Sequence, residues 1–195
     1  METDLILNDK HEYFFKGYKI DGLTATLKES GLIRNSDPWY ADRGQKIHLA
    51  TELWDKNKLD EESLDIQIIP YLESWKRFRK DQSYTPTHIE YQTYHPELMV
   101  GTKIDRLPLL DLKSGSPEPW HVLQIGFQRE CLKIHKMNEN FRMNPMSVYL
   151  NPDGGPPKIK VYKVVEMMEA FKVYASMLYF IRWKRQKGIK NGNSG

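Results

Sequence analysis

Three short extended segments follow one another in the middle of the chain and constrain its fold more than any other feature. They are residues 87–94 (THIEYQTY), 99–107 (MVGTKIDRL) and 109–113 (LLDLK). The first alternates in polarity and is rich in Thr and Tyr, which favours a strand. Pro108 separates the second from the third and marks a tight turn. The sequence therefore predicts a three-stranded meander at the centre of the fold.

Helical segments lie on both sides of this meander. Apolar spacing and the positions of Gly and Pro predict helices at 23–30, 42–56, 62–80, 120–136 and 164–187, with Pro70 forcing a kink or a new start in the third. Weaker extended segments predict two hairpins, at 11–20 and at 147–150 with 159–164, and a loop is predicted around Pro38. This order predicts an α/β (α+β) fold with one mixed central β-sheet flanked by helices.

Length and charge fit one domain of ordinary globular character. With 195 residues, we expect a single domain over 1–187 and a disordered basic tail over 188–195. Lys and Arg total 29 against 26 Asp and Glu, so the net charge is +3. That balance excludes a histone-like polycation, but a basic groove beside an acidic pocket gives the same sum.

The single cysteine and the lack of long apolar runs exclude several classes of protein. Cys131 alone cannot form an internal disulfide, a four-cysteine zinc site or an iron–sulfur cluster. No apolar run approaches the ~20 residues of a membrane helix, and the first residues lack the apolar core of a signal peptide. We therefore expect a cytoplasmic protein that is neither membrane-bound nor secreted.

Two carboxylates and a lysine stand close together around the Pro108 turn. Asp105 lies on the second extended segment and Asp111 on the third, so a hairpin brings both toward one end of the sheet. Asp111 and Lys113 are two residues apart and project from one face of a strand, while the leucines beside them point into the core. Two close acids repel unless something such as a hard divalent cation neutralises them. A structural ion pair on a sheet face explains the same spacing, which alone does not distinguish the two.

Further candidates lie on the predicted helices. His48 and Glu52 are four residues apart within 42–56 and share one face of that helix. Gln124 lies in the first turns of the helix at 120–136. A lone helical histidine is more often a structural or surface residue than a metal ligand, so these residues indicate a site only in combination.

In combination, these residues resemble a known family. The segments RGQKIH (43–48), GTKIDR (101–106) and LLDLKSG (109–115), followed by Gln124, match in order the PD-(D/E)XK nuclease superfamily. The chain is most similar to its RecB-like branch, which includes phage-type exonucleases and the mitochondrial genome maintenance exonuclease. The lack of clustered cysteines separates it from the iron–sulfur branch, and Gln128 stands where many relatives carry a tyrosine. The resemblance implies a restriction-endonuclease-like core.

The resemblance also implies a metal site. His48, Asp105 and Asp111 are the implied ligands of one or two Mg²⁺ or Mn²⁺ ions, without an iron–sulfur cluster. The backbone carbonyl of Leu112 is implied to complete the shell. Carboxylates and a neutral imidazole suit these two ions.

Catalytic roles follow from the same resemblance. The implied catalytic residues are Asp105, Asp111, Lys113 and Gln124. Lys113 is implied to orient or deprotonate the attacking water. Gln124 is implied to position Lys113, the water or the scissile phosphate. Glu90, on the preceding extended segment, is a candidate for a second metal or for support of the first, and Glu52 is a weaker one.

The implied activity is metal-dependent hydrolysis of phosphodiester bonds at DNA ends. The resemblance implies a 5′→3′ exonuclease acting on duplex ends or a single strand in phage-type recombination, replication or repair, in a bacterial host cell if phage-encoded. A single-strand annealing protein is the implied partner, and no segment indicates an oligomeric state. The sequence leaves open an endonuclease of the same fold and a catalytically inactive DNA-binding recombination accessory protein.

Basic and aromatic residues near these motifs are candidates for DNA contact. The segment 75–80 (WKRFRK) interleaves aromatic and basic side chains, which suits base stacking and phosphate contact. An amphipathic helix with its aromatic side chains in the core explains the same segment and is favoured. The candidates for DNA contact are Arg34, Arg43, Lys46, Trp75, Arg77 and Arg79.

Overall fold

Strands and helices alternate along the part of the chain that the computed structural model describes, which is residues 4–33, 37–137 and 144–189. The strands there are β1 (Leu5–Leu7), β2 (Tyr13–Phe15), β3 (Tyr18–Gly22), β4 (His88–His95), β5 (Val100–Leu107), β6 (Leu110–Lys113), β7 (Met146–Tyr149) and β8 (Lys158–Val161). The helices are α1 (Leu23–Glu29), α2 (Pro38–Asp55), α3 (Ile69–Asp81), α4 (His121–Ile134) and α5 (Val164–Gln186), with a 3₁₀ helix at Glu61–Ser63.

All eight described strands form one mixed sheet, which confirms the predicted fold class. The order is β1-β2-β3-β5-β6-β7-β8, and β4 pairs with β5 beside this path. The predicted meander of β4, β5 and β6 is antiparallel. The two parallel joins, β3 with β5 and β6 with β7, each need a crossover, and helices supply both.

Helices cover both faces of the sheet. On one face, Ile47 of α2 and Leu72 of α3 pack with Leu110 and Leu112 of β6. On the other, residues of α1, α4 and α5 form a second core with Val100 of β5. Alternation along β6 therefore buries its leucines under α2 and α3, and turns Asp111 and Lys113 toward α4.

Two helix boundaries differ from the predicted ones. α2 begins at Pro38, in the stretch predicted to be a loop, because Asp37 accepts a hydrogen bond from the Trp39 N–H and caps the first turn. Pro70 lies in the first turn of α3. Of the two predicted outcomes, a kink or a new helix start, the structure shows the new start. Residues 62–68 before it are not α-helical.

The ends of the described chain refine the prediction further. The predicted 11–20 hairpin is confirmed as β2 and β3, and β1, which was not predicted, pairs with β2. Gly188 and Ile189, predicted to belong to the disordered tail, form a hydrogen-bonded turn after α5; the rest of that tail lies outside the described residues. Within the three described ranges, none of the helices has the length and apolarity needed to cross a bilayer.

Candidate metal centre

A gap in the sheet beside β5 forms the cleft where the predicted site residues meet. On the side away from β4, β3 pairs with the start of β5 at Val100 and Gly101, and β6 pairs near its end at Arg106. Residues 102–105 have no strand pairing on that side among the described residues. A cleft of about 610 Å³ opens at this gap, lined by His48, Asp105, Asp111, Lys113 and Gln124.

Three side chains in and beside this cleft lie close enough together to hold a metal ion. His48, Glu90 and Asp105 each offer one ligand atom, and these atoms all lie within 4.8 Å of one another. His48 Nδ1 is 3.6 Å from Asp105 Oδ2. An imidazole and two carboxylates are a donor set that fits Mg²⁺ or Mn²⁺. The structure thus brings His48 and Asp105 together as predicted and adds Glu90, while metal binding itself stays a prediction.

Asp111 lines the same cleft but belongs to a different set of contacts. Its carboxylate is 3.0 Å from Lys113 Nζ, accepts a hydrogen bond of 2.6 Å from Gln124 Nε2, and accepts a longer one from the Ser147 hydroxyl. Burial raises the pKa of Asp111 to about 6, against the opposing effect of Lys113. The predicted ligand trio therefore divides into an open cluster around Asp105 and a buried, paired carboxylate.

Gln124 links the lysine to this buried acid. While its amide nitrogen donates to Asp111, its oxygen accepts a hydrogen bond of 3.0 Å from Lys113 Nζ. The Lys113 ammonium also lies 5.4 Å above the Trp120 ring, which favours a cation there. Gln124 therefore contacts Lys113 directly. Its predicted role in positioning the lysine, the water or the phosphate stays a prediction.

The Asp105 carboxylate bridges the gap between β5 and β6. Asp105 Oδ2 accepts a hydrogen bond of 2.7 Å from the backbone N–H of Leu112. The Leu112 side chain is buried under α2 and α3, so its backbone and not its side chain faces the site. Coordination by its carbonyl stays a prediction.

Glu90 reaches the cluster from a left-handed backbone conformation. Its φ is +54°, inside a strand whose flanking residues pair as Ile89 with Arg106 and Tyr91 with Ile104. This register places Glu90 across from Asp105. A non-glycine residue in this region costs about 1–3 kcal/mol. Such strain is concentrated at functional sites, where neighbouring contacts hold it in place.

Two cations neutralise the Glu90 carboxylate. Lys103 Nζ lies 2.5 Å from Glu90 Oε2, and Arg106 Nη1 lies 3.3 Å from Oε1. Burial nonetheless raises the pKa of Glu90, with a further upward contribution from Asp105 and a downward one from Lys103. Asp105 therefore disfavours the charged form of Glu90, and a divalent cation bound by both would remove that conflict.

A buried arginine behind the cluster was not predicted. Arg106 is fully buried; its Nε lies 2.6 Å from Asp55 Oδ2, and its Nη1 donates to the carbonyl of Asp105 over 2.7 Å. Ile104 packs under α4, whereas the Arg106 guanidinium lies 5.7 Å above the Trp75 ring of α3. Residues two apart on a regular strand share a face, so β5 is irregular at Asp105, and alternation counting does not find Arg106.

The structure corrects part of the predicted DNA contacts. Trp75 is fully buried and stacks on Phe78 at 5.3 Å between ring centroids, so its assignment to DNA contact is wrong and the amphipathic alternative is confirmed. Arg79 is partly exposed and pairs with the buried Asp55, and its contact with DNA stays a prediction. Arg77, on the same helix, is exposed.

The remaining candidates divide between the site's surroundings and the surface. The Arg43 guanidinium lies 4.8 Å from the Trp39 ring and 5.1 Å from the Tyr40 ring. Lys46 pairs with Asp42 at 2.8 Å on the surface. Glu52 pairs with Lys56 and is not part of the histidine–carboxylate cluster. Arg34 lies outside the described residues.

Comparison with known proteins does not assign the chain to a family. The assignment of function therefore rests on the geometry of the cleft and on the order of the sequence segments. No known protein-family model matches this sequence, and no curated protein matches it either.

Proposed function

We propose that this chain is a metal-dependent deoxyribonuclease of the PD-(D/E)XK superfamily, an exonuclease that hydrolyses phosphodiester bonds at DNA ends. The observation that carries the proposal is the contact of Asp111, Lys113 and Gln124 in the same cleft as His48 and Asp105. If Asp111 and Lys113 formed only a structural ion pair, nothing would require a histidine and carboxylates in the same cleft.

A Mg²⁺ or Mn²⁺ ion held by His48, Glu90 and Asp105 would supply an activated water and withdraw charge from the phosphate. It would also offset the repulsion between the two carboxylates. The carboxylate of Asp111 lies next to these ligands and is paired with Lys113. A metal ion that bound Asp111 would therefore share this carboxylate with the Lys113 ammonium.

Lys113 and Gln124 act on the phosphate and on the attacking water. The Lys113 ammonium gives fixed positive charge where the phosphoryl oxygens gain negative charge, and it donates a hydrogen bond that orients the attacking water. Gln124 fixes the Nζ position, so the lysine has little freedom to lose when the strand binds.

The walls of the cleft suit an anionic strand. Lys10 and Lys28 line it together with His11, which adds positive charge near the acidic cluster. By its resemblance, the proposed enzyme degrades duplex ends in the 5′→3′ direction in phage-type recombination, replication or repair. DNA is its substrate in the cytoplasm, with a single-strand annealing protein as partner.

The test uses three end-labelled or closed DNA substrates, each with Mg²⁺, Mn²⁺ or EDTA. We expect cleavage of a linear duplex or single strand with metal and none of the closed circle. Lys113→Ala should lower the rate by at least ~10²-fold while leaving DNA binding intact. The control, Lys133→Ala, removes an exposed lysine that pairs with Glu130 on the same helix and should leave the rate unchanged.

The outcomes separate the alternatives. Cleavage of the circle would show an endonuclease of the same fold. DNA binding without cleavage in any metal would show an accessory protein, and equal rates for Lys113→Ala and the wild type would remove Lys113 from the mechanism.

A further inference from the structure

The outer face of α5 carries a row of exposed apolar side chains. Seven large apolar residues on this helix are between 47% and 62% exposed: Val164, Val165, Met168, Val173, Tyr179, Phe180 and Trp183. Single exposed apolar residues are normal on a protein surface, whereas a contiguous row marks an interaction surface. The opposite face of α5 is already buried against α1, α4 and β5.

Four of these residues, Val165, Met168, Tyr179 and Trp183, fall on one line of the helix, with Lys172 and Ser176 between them. These six positions are separated by three or four residues, which is the spacing of a helix–helix seam. α5 has 23 residues and is therefore about 34 Å long. The smallest side chain on this line, that of Ser176, lies near its middle, where it permits close approach of another helix.

We propose that two copies of this chain pair through this face of α5, antiparallel, about a two-fold axis at Ala175 and Ser176. In such a dimer, residue i of one copy meets residue j of the other, and the reverse. With the axis between these two residues, Met168 faces Trp183 and Lys172 faces Tyr179. The Met168–Trp183 pair brings a thioether against an aromatic ring. The Lys172–Tyr179 pair brings an ammonium against an aromatic ring.

Charge along α5 selects this orientation. Glu166 and Glu169 lie in the amino-terminal half of the helix, Lys184 lies in the carboxyl-terminal half, and Lys187 caps its end. An antiparallel pair places the acidic half of each copy beside the basic half of the other. A parallel pair would set Lys172 against Lys172 and acid against acid, which costs free energy. The face is therefore complementary to itself.

The dimer leaves the proposed site free, since the residues that line the cleft include none from α5. The helix is held firmly from behind: Arg182 pairs with Asp21 at 2.7 Å, and a side chain at Gly126 of α4 would lie 2.6 Å from the Met167 carbonyl. A single helix pair is a small interface, so we expect a dimer with a dissociation constant in the micromolar range, about 1–100 μM.

Analytical ultracentrifugation of the full chain over roughly 1–100 μM tests the proposal. We expect concentration-dependent dimerisation, and Tyr179→Glu should raise the dissociation constant at least ~10-fold. Ile66→Glu, which changes a 79% exposed loop residue, is the matched control and should dimerise like the wild type. A chain that stays monomeric at about 100 μM, or a dimer that Tyr179→Glu does not weaken, overturns the proposal.

Two further variants test the axis and the orientation. Ser176→Cys should form a disulfide-linked dimer on mild oxidation, because residues at a two-fold axis approach their own copy. Lys80→Cys, at an exposed position on α3, should not, and the native Cys131 is fully buried. Glu169→Lys should weaken the dimer, and adding Lys184→Glu should restore it. Equal cross-linking of both cysteine variants, or no recovery in the double variant, contradicts an antiparallel α5 pair.

Discussion

The carboxylate of Asp111 sits where its own charge is disfavoured. It is 2% exposed, and its pKa of about 6 lies above the usual value near 3.9. Lys113 and Gln124 offset this penalty in part. The residue that the proposed chemistry needs as an anion is thus one that the fold by itself stabilises when protonated.

Replacement of this acid should therefore stabilise the metal-free protein. Because the folded-state pKa is raised, the contribution of Asp111 to stability is fully present below pH ~4 and is lost as pH rises through ~6. Asp111→Asn keeps an oxygen acceptor and removes this loss. We expect it to increase the free energy of unfolding by about 1 kcal/mol or more at pH 7.5, measured by urea denaturation in EDTA.

The control and the pH dependence make this result specific. The difference between Asp111→Asn and the wild type should shrink as the pH is lowered toward 4. Asp153→Asn, at an exposed loop position, should show no such trend. A destabilised Asp111→Asn variant at pH 7.5 would show that the contacts of the carboxylate outweigh its burial.

Individual site residues were predictable to different degrees. Asp111 and Lys113 share a face because a strand alternates, and that rule needs only the sequence. The contact of His48 with Asp105 joins α2 to β5 across tertiary structure, and only a family resemblance points to it. Arg106 escaped prediction because β5 is irregular beside it, and Glu90 gained weight only from the register that sets it across from Asp105.

Strands β1 and β2 form an arm at the edge of the sheet, and the position of this arm depends on the lack of a side chain at Gly101. Tyr13 of β2 lies flat on the backbone of β5, and a Cβ at Gly101 would lie 2.4 Å from its ring. Tyr13 and Leu7 also line the cleft. The arm is therefore a wall of the proposed site whose position is set by one glycine.

Gly101→Ala should displace this arm. The added methyl overlaps the Tyr13 ring, so the arm must shift, and its backbone amides should lose protection. We expect faster hydrogen–deuterium exchange over residues 5–15, measured by mass spectrometry, and a destabilisation of about 1–3 kcal/mol. Gly115→Ala is the control, because no atom lies within 4 Å of a Cβ there. Unchanged exchange in the arm would show that Tyr13 adapts without moving its strand.

Elements with strong local signals were predictable, and short or capped ones less so. The meander and helices α4 and α5 lie close to their predicted bounds. β1 has three residues, too few for a pattern. The start of α2 differs from the predicted one although Asp37 and Pro38 form a recognisable cap, because a proline signals a loop as well as a helix start.

For the whole molecule, the site exists because β3 and β6 pair with opposite ends of β5. Pairing between β3 and β5 spans about 80 residues of chain, so no local pattern predicts it. The fold class followed from the order of elements, whereas the gap that makes a cleft in the sheet needed the tertiary structure.

Metal binding should stabilise the whole fold. An ion that binds only the folded chain adds ~2.7 kcal/mol at a concentration of 100 times its Kd, which raises Tm by roughly 5–10 °C for a domain of this size. We expect this rise with MnCl₂ by calorimetry. Asp105→Asn should abolish most of it, and Asp153→Asn should retain it. An equal rise in Asp105→Asn would place the ion elsewhere.

The short turn between β5 and β6 also determines which kinds of sequence change the site can survive. Substitutions around Pro108 leave the phase of β6 intact. Insertion or deletion of one residue there would exchange the two faces of the strand, so Leu110 and Leu112 would line the cleft and Asp111 would enter the core beneath α2. During evolution, the residues of this turn can therefore be substituted, whereas its number of residues must stay constant.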